Sequence, residues 1–80
     1  MEQNLYRIYT RDLCVYCDMA KEEMRKRNLP YTEYNIESHP AHKEELIKIN
    51  PKARTVPQIF IDDKYIGSYD NLVKHLNQTN

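Results

Sequence analysis

In the stretch Leu5-Tyr6-Arg7-Ile8-Tyr9-Thr10-Arg11-Asp12-Leu13-Cys14-Val15-Tyr16-Cys17, an alternating segment leads through a short connection into two cysteines separated by two residues. Aromatic and β-branched residues at alternate positions predict a strand over Leu5–Thr10. Beyond it the period lengthens. Cys17, Met19, Ala20 and Met24 recur at three-to-four spacing, while Lys21, Glu22, Glu23 and Arg25 read as an outward face. That pattern predicts a helix from Val15 to Asn28, stopped by Asn28-Leu29-Pro30.

Further along the chain, Tyr31–Ile36 alternates again and predicts a second strand. Ser38-His39-Pro40 reads as a helix entry with Ser38 as its cap, and Leu46, Ile47 and Ile49 supply the apolar stripe of a helix that Asn50-Pro51 stops. Gln58–Ile61 predicts a third strand, Asp62-Asp63-Lys64 a tight turn, and Lys64–Gly67 a fourth strand. Asp70 can cap a last helix carrying Leu72, Val73 and Leu76, ahead of a polar tail from Asn77 to Asn80. The order is β-α-β-α-β-β-α. Strands joined through a helix run parallel with a right-handed crossover, whereas the last two, joined by a short turn, must be antiparallel. The expected fold class is therefore α/β, a mixed four-stranded sheet with helices on both faces.

Length and charge narrow the function. Eighty residues predict one domain, 1–80, with a single modest core. Twelve basic and twelve acidic residues cancel. This argues against non-specific nucleic-acid binding, which needs a cationic excess to displace counterions. Arg25-Lys26-Arg27 beside Glu22 and Glu23 reads as a solvated helix face. Neither a targeting segment nor a membrane-length apolar run is visible, so a cytoplasmic location and no membrane partner are expected. Thiols are kept reduced in that compartment, and two cysteines so close would close too small a loop to act as a staple. Their purpose should be chemistry.

A Cys-x-x-Cys after the first strand of a βαβ unit is a thioredoxin-like redox signature. Cys14 falls where the loop becomes the helix, so unpaired N–H groups and the helix dipole favour its thiolate, the form that attacks a disulfide. Cys17, one turn on, faces inward. Cys14 is thus expected to attack and Cys17 to resolve the mixed disulfide. Arg11 can add positive charge nearby, and Tyr16 offers a ring for substrate contact. No metal site is expected: His39 and His42 lie too far from Cys17 for a small zinc finger and, with His75, read as surface residues.

Tyr9–Cys17, then Thr55-Val56-Pro57-Gln58-Ile59-Phe60-Ile61, then Ile66-Gly67-Ser68-Tyr69-Asp70-Asn71-Leu72 resemble the glutaredoxins in order and spacing over nearly the whole chain. The resemblance implies the thioredoxin-like fold, a cis peptide before Pro57, and glutathione as reductant and co-substrate with no tightly bound cofactor. It implies that the Val56 backbone, beside Thr55, pairs with the cysteine part of glutathione. The γ-glutamyl end would meet the helix start at Tyr69, Asp70 and Asn71, and the glycyl carboxylate would meet Arg11 and Arg54. It further implies a monomer acting on disulfide-containing proteins, with ribonucleotide reductase among the targets. The chain departs from the family pattern at Ser68, where relatives carry glycine, and at Ala53, where they carry glutamine. Tyr9-Thr10-Arg11 is also similar to glutaredoxin-like proteins recharged by thioredoxin reductase, which leaves the reductant open between the two.

Overall fold

The structure is a computed structural model that describes residues 4–78. The first three residues and the last two of the expected polar tail lie outside it. The strands are β1 (Tyr6–Thr10), β2 (Tyr31–Asn35), β3 (Gln58–Ile61) and β4 (Lys64–Gly67); the helices are α1 (Val15–Lys26), α2 (Pro40–Ile49) and α3 (Tyr69–Gln78). The sheet runs β2-β1-β3-β4. β1 and β2 are parallel from Tyr6↔Tyr31 to Thr10↔Asn35, and β3 is antiparallel to both β1 and β4. The expected element order and mixed sheet are both present.

Alternation along the strands divides the core between two faces. Tyr6 and Ile8 of β1, with Ile59 and Ile61 of β3, pack against Ala20 and Met24 of α1 and Leu72 and Leu76 of α3. Tyr9 and Phe60 point the other way, onto Leu46 of α2. Tyr9 stacks on Tyr34, and its hydroxyl donates to Glu45 Oε1 at 2.7 Å. Burial, reinforced by that carboxylate, pushes the Tyr9 hydroxyl above its ordinary range and keeps it a donor.

Local chemistry sets the element ends. Asn28 takes a left-handed φ of 58° after α1; its N–H bonds Arg25 O and the Leu29 N–H bonds Met24 O at 2.9 Å, a Schellman closure. Asp62 and Asp63, at φ 53° and 66°, form the β3–β4 turn. Both are pinned to the first strand or the residue before it: Asp62 Oδ1 accepts from Leu5 N at 2.7 Å, just ahead of β1, and Asp63 Oδ1 pairs with Arg7 of β1 at 2.8 Å.

Four local expectations are corrected. Ser38 is not the cap of α2: His39 holds that position without a side-chain capping bond, Pro40 fills the first helical place, and the His39 ring is engaged by the Ser38 hydroxyl at Nδ1. Asn35 Oδ1 instead closes the chain by accepting from the N–H groups of Glu37 and Ser38. Ile47 and Ile49 are exposed, because α2 inserts only Leu46 into its small aromatic core. Met19 is exposed too. At 100° per residue it lies roughly 200° round from Cys17, and the buried stripe is Cys17, Ala20 and Met24. Lys21, on the stripe's edge, is turned inward to Glu33 Oε2 at 3.0 Å.

Candidate active site

β1 delivers the chain to the site, and a pinned loop aims it. The Asp12 N–H donates to Glu37 Oε1 at 2.8 Å, and Asp12 Oδ1 accepts from Asn35 Nδ2 at 2.9 Å. Leu13 then adopts a left-handed φ of 50°, and Cys14 becomes the N-cap of α1 in extended conformation. Cys14 and Cys17 form a disulfide with their Cα atoms 5.2 Å apart. Their environments differ. Cys14 is half-buried, whereas Cys17 is 1% exposed. The Cys17 N–H points at Cys14 Sγ from 3.1 Å, the capping contact that a thiolate accepts most strongly.

A second segment faces this pair. Pro57 is buried and follows a cis Val56–Pro57 peptide, as the resemblance implied. The Val56 carbonyl lies 3.9 Å from Cys14 Sγ; a disulfide sulfur carries no proton, so this is a contact and not a hydrogen bond. Val56 lies outside β3, and among the described residues its N–H has no backbone partner. Gln58, a buried polar residue, braces the segment: its Nε2 donates to Thr55 O at 2.7 Å and its Oε1 accepts from Asn50. In the sequence Gln58 reads only as a strand residue.

The start of α3 closes the third side. Its first N–H groups have no intrahelical acceptor, since the first bond runs from Leu72 N to Ser68 O at 3.0 Å. Asp70 lies in the first turn and is not the cap expected of it. Ser68 precedes the helix, and Asn71 Oδ1 accepts from Ser68 N at 3.1 Å, half of a capping box. Gly67, at φ 127°, must be glycine: an added Cβ would sit 2.6 Å from Asn71 Cγ.

Three neighbouring openings share Thr55 and Val56 in their walls, and one of them reaches Cys14. A cavity of about 300 Å³ brings together Tyr16, Thr55, Val56, Pro57, Tyr69 and Asp70, with Ser68 on its wall. The Tyr16 and Tyr69 ring centroids lie 6.0 Å apart. Asn71 does not line this cavity; its side chain serves the cap. A groove of about 260 Å³ joins Cys14 to Arg11, Leu13, Arg54, Thr55 and Val56. Beyond it, about 230 Å³ with an apolar floor including Leu46 and Ile47 is rimmed by Arg11, Lys43 and Arg54. Arg54 donates only to carbonyls of its own loop, Pro51 and Ala53, and no carboxylate pairs with Arg11 or Lys43 among the described residues. Nothing in the sequence marks Lys43, which reaches the rim because α2 packs over β1 through Leu46 and Tyr9. At the sheet edge nearby, burial pushes the Glu33 carboxyl up, but hydrogen bonds from Thr10 and Lys21 and the charge of Lys21 outweigh it and hold the carboxyl below its usual range.

A glutaredoxin family model matches residues 7–66. The chain belongs to the glutaredoxin family. It is 42% identical to glutaredoxin 3 of Escherichia coli strain K12 over 65 residues, covering 81% of this chain and 77% of that one. Among solved structures it is similar to glutaredoxin 1 of Francisella tularensis, crystallised with cacodylate (TM-score 0.78, 30% identity, 94% of each chain). It also shares its fold with a buckwheat glutaredoxin solved as a glutathione complex (TM-score 0.79, 23% identity, 94% of this chain and 70% of that one). This glutaredoxin is a thiol–disulfide oxidoreductase with a dithiol site, and Cys14 and Cys17 are the cysteines that form its disulfide. No helix among the described residues is long and apolar enough to cross a membrane.

Proposed function

We propose that residues 1–80 act as one monomeric domain in a reducing, cytoplasmic compartment, using glutathione to reduce protein disulfides and glutathione mixed disulfides. The Cys14 thiolate attacks one sulfur of the target disulfide; that S–S bond breaks, a target thiolate leaves, and a mixed disulfide remains on Cys14. Cys17 then attacks Cys14 Sγ, releasing the second target thiolate. Two electrons and two protons have passed to the target, and the pair is left as a disulfide. Two glutathiones reverse that oxidation and leave as glutathione disulfide. The observation that carries the assignment of roles is the asymmetry of the pair: Cys14 is half-buried and accepts the Cys17 N–H, whereas Cys17 is closed off.

Glutathione as reductant is supported by the cleft between Val56 and α3. An unpartnered Val56 N–H suits strand-like pairing with a peptide. The open N–H groups at Tyr69 and Asp70, and that of Asn71, suit one carboxylate, and Arg11 and Arg54 suit the other. Tyr16 walls the cleft, and Thr55 and Pro57 shape its floor. The buckwheat protein of the same fold binds glutathione, which is consistent with this use. A disulfide of ribonucleotide reductase is included among the protein targets on family grounds.

A coupled assay tests the reading. Glutathione mixed disulfide is supplied with glutathione, glutathione reductase and NADPH, and NADPH loss is followed. The wild type should turn over and Cys14→Ser should be inactive. Cys17→Ser should keep activity on the mixed disulfide while losing most of it on protein disulfides. Turnover only when thioredoxin reductase replaces the glutathione system would overturn glutathione as the reductant.

A further inference from the structure

The residue just before the reactive cysteine carries two unfavourable features at once. Leu13 is 98% exposed, the most exposed large apolar residue among those described, and it holds a φ of 50°, a region that side chains other than glycine, asparagine and aspartate avoid. Neither feature serves the core, since Leu13 packs in neither hydrophobic cluster. Leu13, at that left-handed turn, lines the groove that also takes in Cys14, Thr55 and Val56. Val15 and Tyr16, the two residues that follow the cysteine, are also exposed, at 70% and 58%.

We propose that Leu13 determines specificity for protein substrates, by packing against an apolar side chain immediately beside the target cysteine of an extended, acidic disulfide segment. This deepens the proposed function and rests on it: the segment is the substrate that Cys14 attacks. Its extended form follows from the free N–H of Val56, which offers one rung of strand pairing across the groove. Its acidity follows from charge complementarity. The groove opens into the cavity rimmed by Arg11, Lys43 and Arg54, cations without a carboxylate partner among the described residues. A target cysteine between an apolar neighbour and an acid would therefore meet Leu13 on one side and this rim on the other.

The test is a single-turnover reaction of the dithiol protein, reduced beforehand, with two acidic disulfide peptides that differ only in carrying Leu or Ser beside the target cysteine. Each turnover converts one peptide disulfide to two thiols and one dithiol to the Cys14–Cys17 disulfide, so no glutathione is needed. Wild type should prefer the Leu peptide by about tenfold in second-order rate constant, as expected for partial burial of two apolar side chains. Leu13→Gly and Leu13→Asn should bring that ratio close to one. Both residues tolerate a left-handed φ, so thermal unfolding should show either variant no less stable than wild type. An unchanged ratio in both variants, or no preference in the wild type, would overturn the role of Leu13 while leaving the oxidoreductase reading intact. Failure of the wild type to reduce either peptide would instead overturn the disulfide-exchange reading on which the proposal rests.

Discussion

Cys14 and Cys17 sit one helical turn apart and are bonded to each other, yet only Cys14 can be approached from solvent. Once the pair is reduced, the Cys17 N–H and the open end of α1 favour negative charge on Cys14 Sγ. Iodoacetamide should therefore alkylate Cys14 at pH values below about 8.5, the ordinary thiol pKa, while Cys17 stays unmodified until the fold opens; peptide mapping across a pH series reads both. Equal labelling of the two cysteines would contradict this. Gly67 presents the opposite case, a residue defined by what cannot stand there. An alanine Cβ would collide with Asn71, and a φ of 127° is one that L side chains rarely adopt. Gly67→Ala should cost of order 1–3 kcal/mol, measured by urea unfolding, because the crowded Asn71 side chain also caps α3.

At the scale of elements, α3 shows why helix ends are harder to foresee than helices. Its amphipathic period put Leu72 and Leu76 on the core in sequence and in structure alike. The cap was expected at Asp70, but the helix begins at Tyr69, two residues earlier than such a cap would place it, so Ser68 and Asn71 share that task. A side chain of the right type at several adjacent positions does not say which one the backbone will choose. Likewise α1 was legible as a helix with Cys17, Ala20 and Met24 on its buried stripe, while the place of Met19 was not. Met19 fits a three-to-four spacing with neighbouring apolar residues, and only packing, which buries Ala20 and Met24 against β1 and α3, leaves it outside the stripe. Asn71→Ala removes the acceptor for the Ser68 N–H and should lower stability by about 1 kcal/mol, or roughly 4–8 °C in Tm for a domain of this size. Thermal unfolding by circular dichroism measures it, and a Tm equal to that of wild type would show that Asn71 does not hold the helix start.

For the whole molecule, the Glu33 cluster ties α1 to the parallel pair on which the site is mounted. Thr10 Oγ1 donates to Glu33 Oε2 at 2.6 Å, and Lys21 Nζ reaches the same oxygen from α1. Since these partners hold the Glu33 carboxyl below its ordinary value of 4.5, the ionised form stabilises the fold; that contribution is complete above about pH 4.5 and is lost as pH falls through the lowered folded value. Glu33→Gln should thus be less stable than wild type at pH 7, with the gap in urea midpoint narrowing below pH 4.5; a gap independent of pH would contradict it. The βαβ-αββα order was legible because each element carries its own period and breaker. Within the site, Cys14, Cys17 and the cis Pro57 segment were also legible, the last through family resemblance alone. Leu13, Lys43 and Gln58 were not, because nothing local marks them: they acquire a place only when β1, α2 and β3 bring distant segments to one groove. What unites fold and site is the assignment of attack to Cys14 with glutathione as its partner, and covalent trapping addresses it directly. Cys17→Ser and Cys14→Ser are each incubated with glutathione disulfide and examined by intact mass and peptide mapping. Cys17→Ser should take up a single glutathione on Cys14 rapidly and Cys14→Ser should take up almost none, whereas equal uptake on Cys17, or none on Cys14, would contradict the assignment.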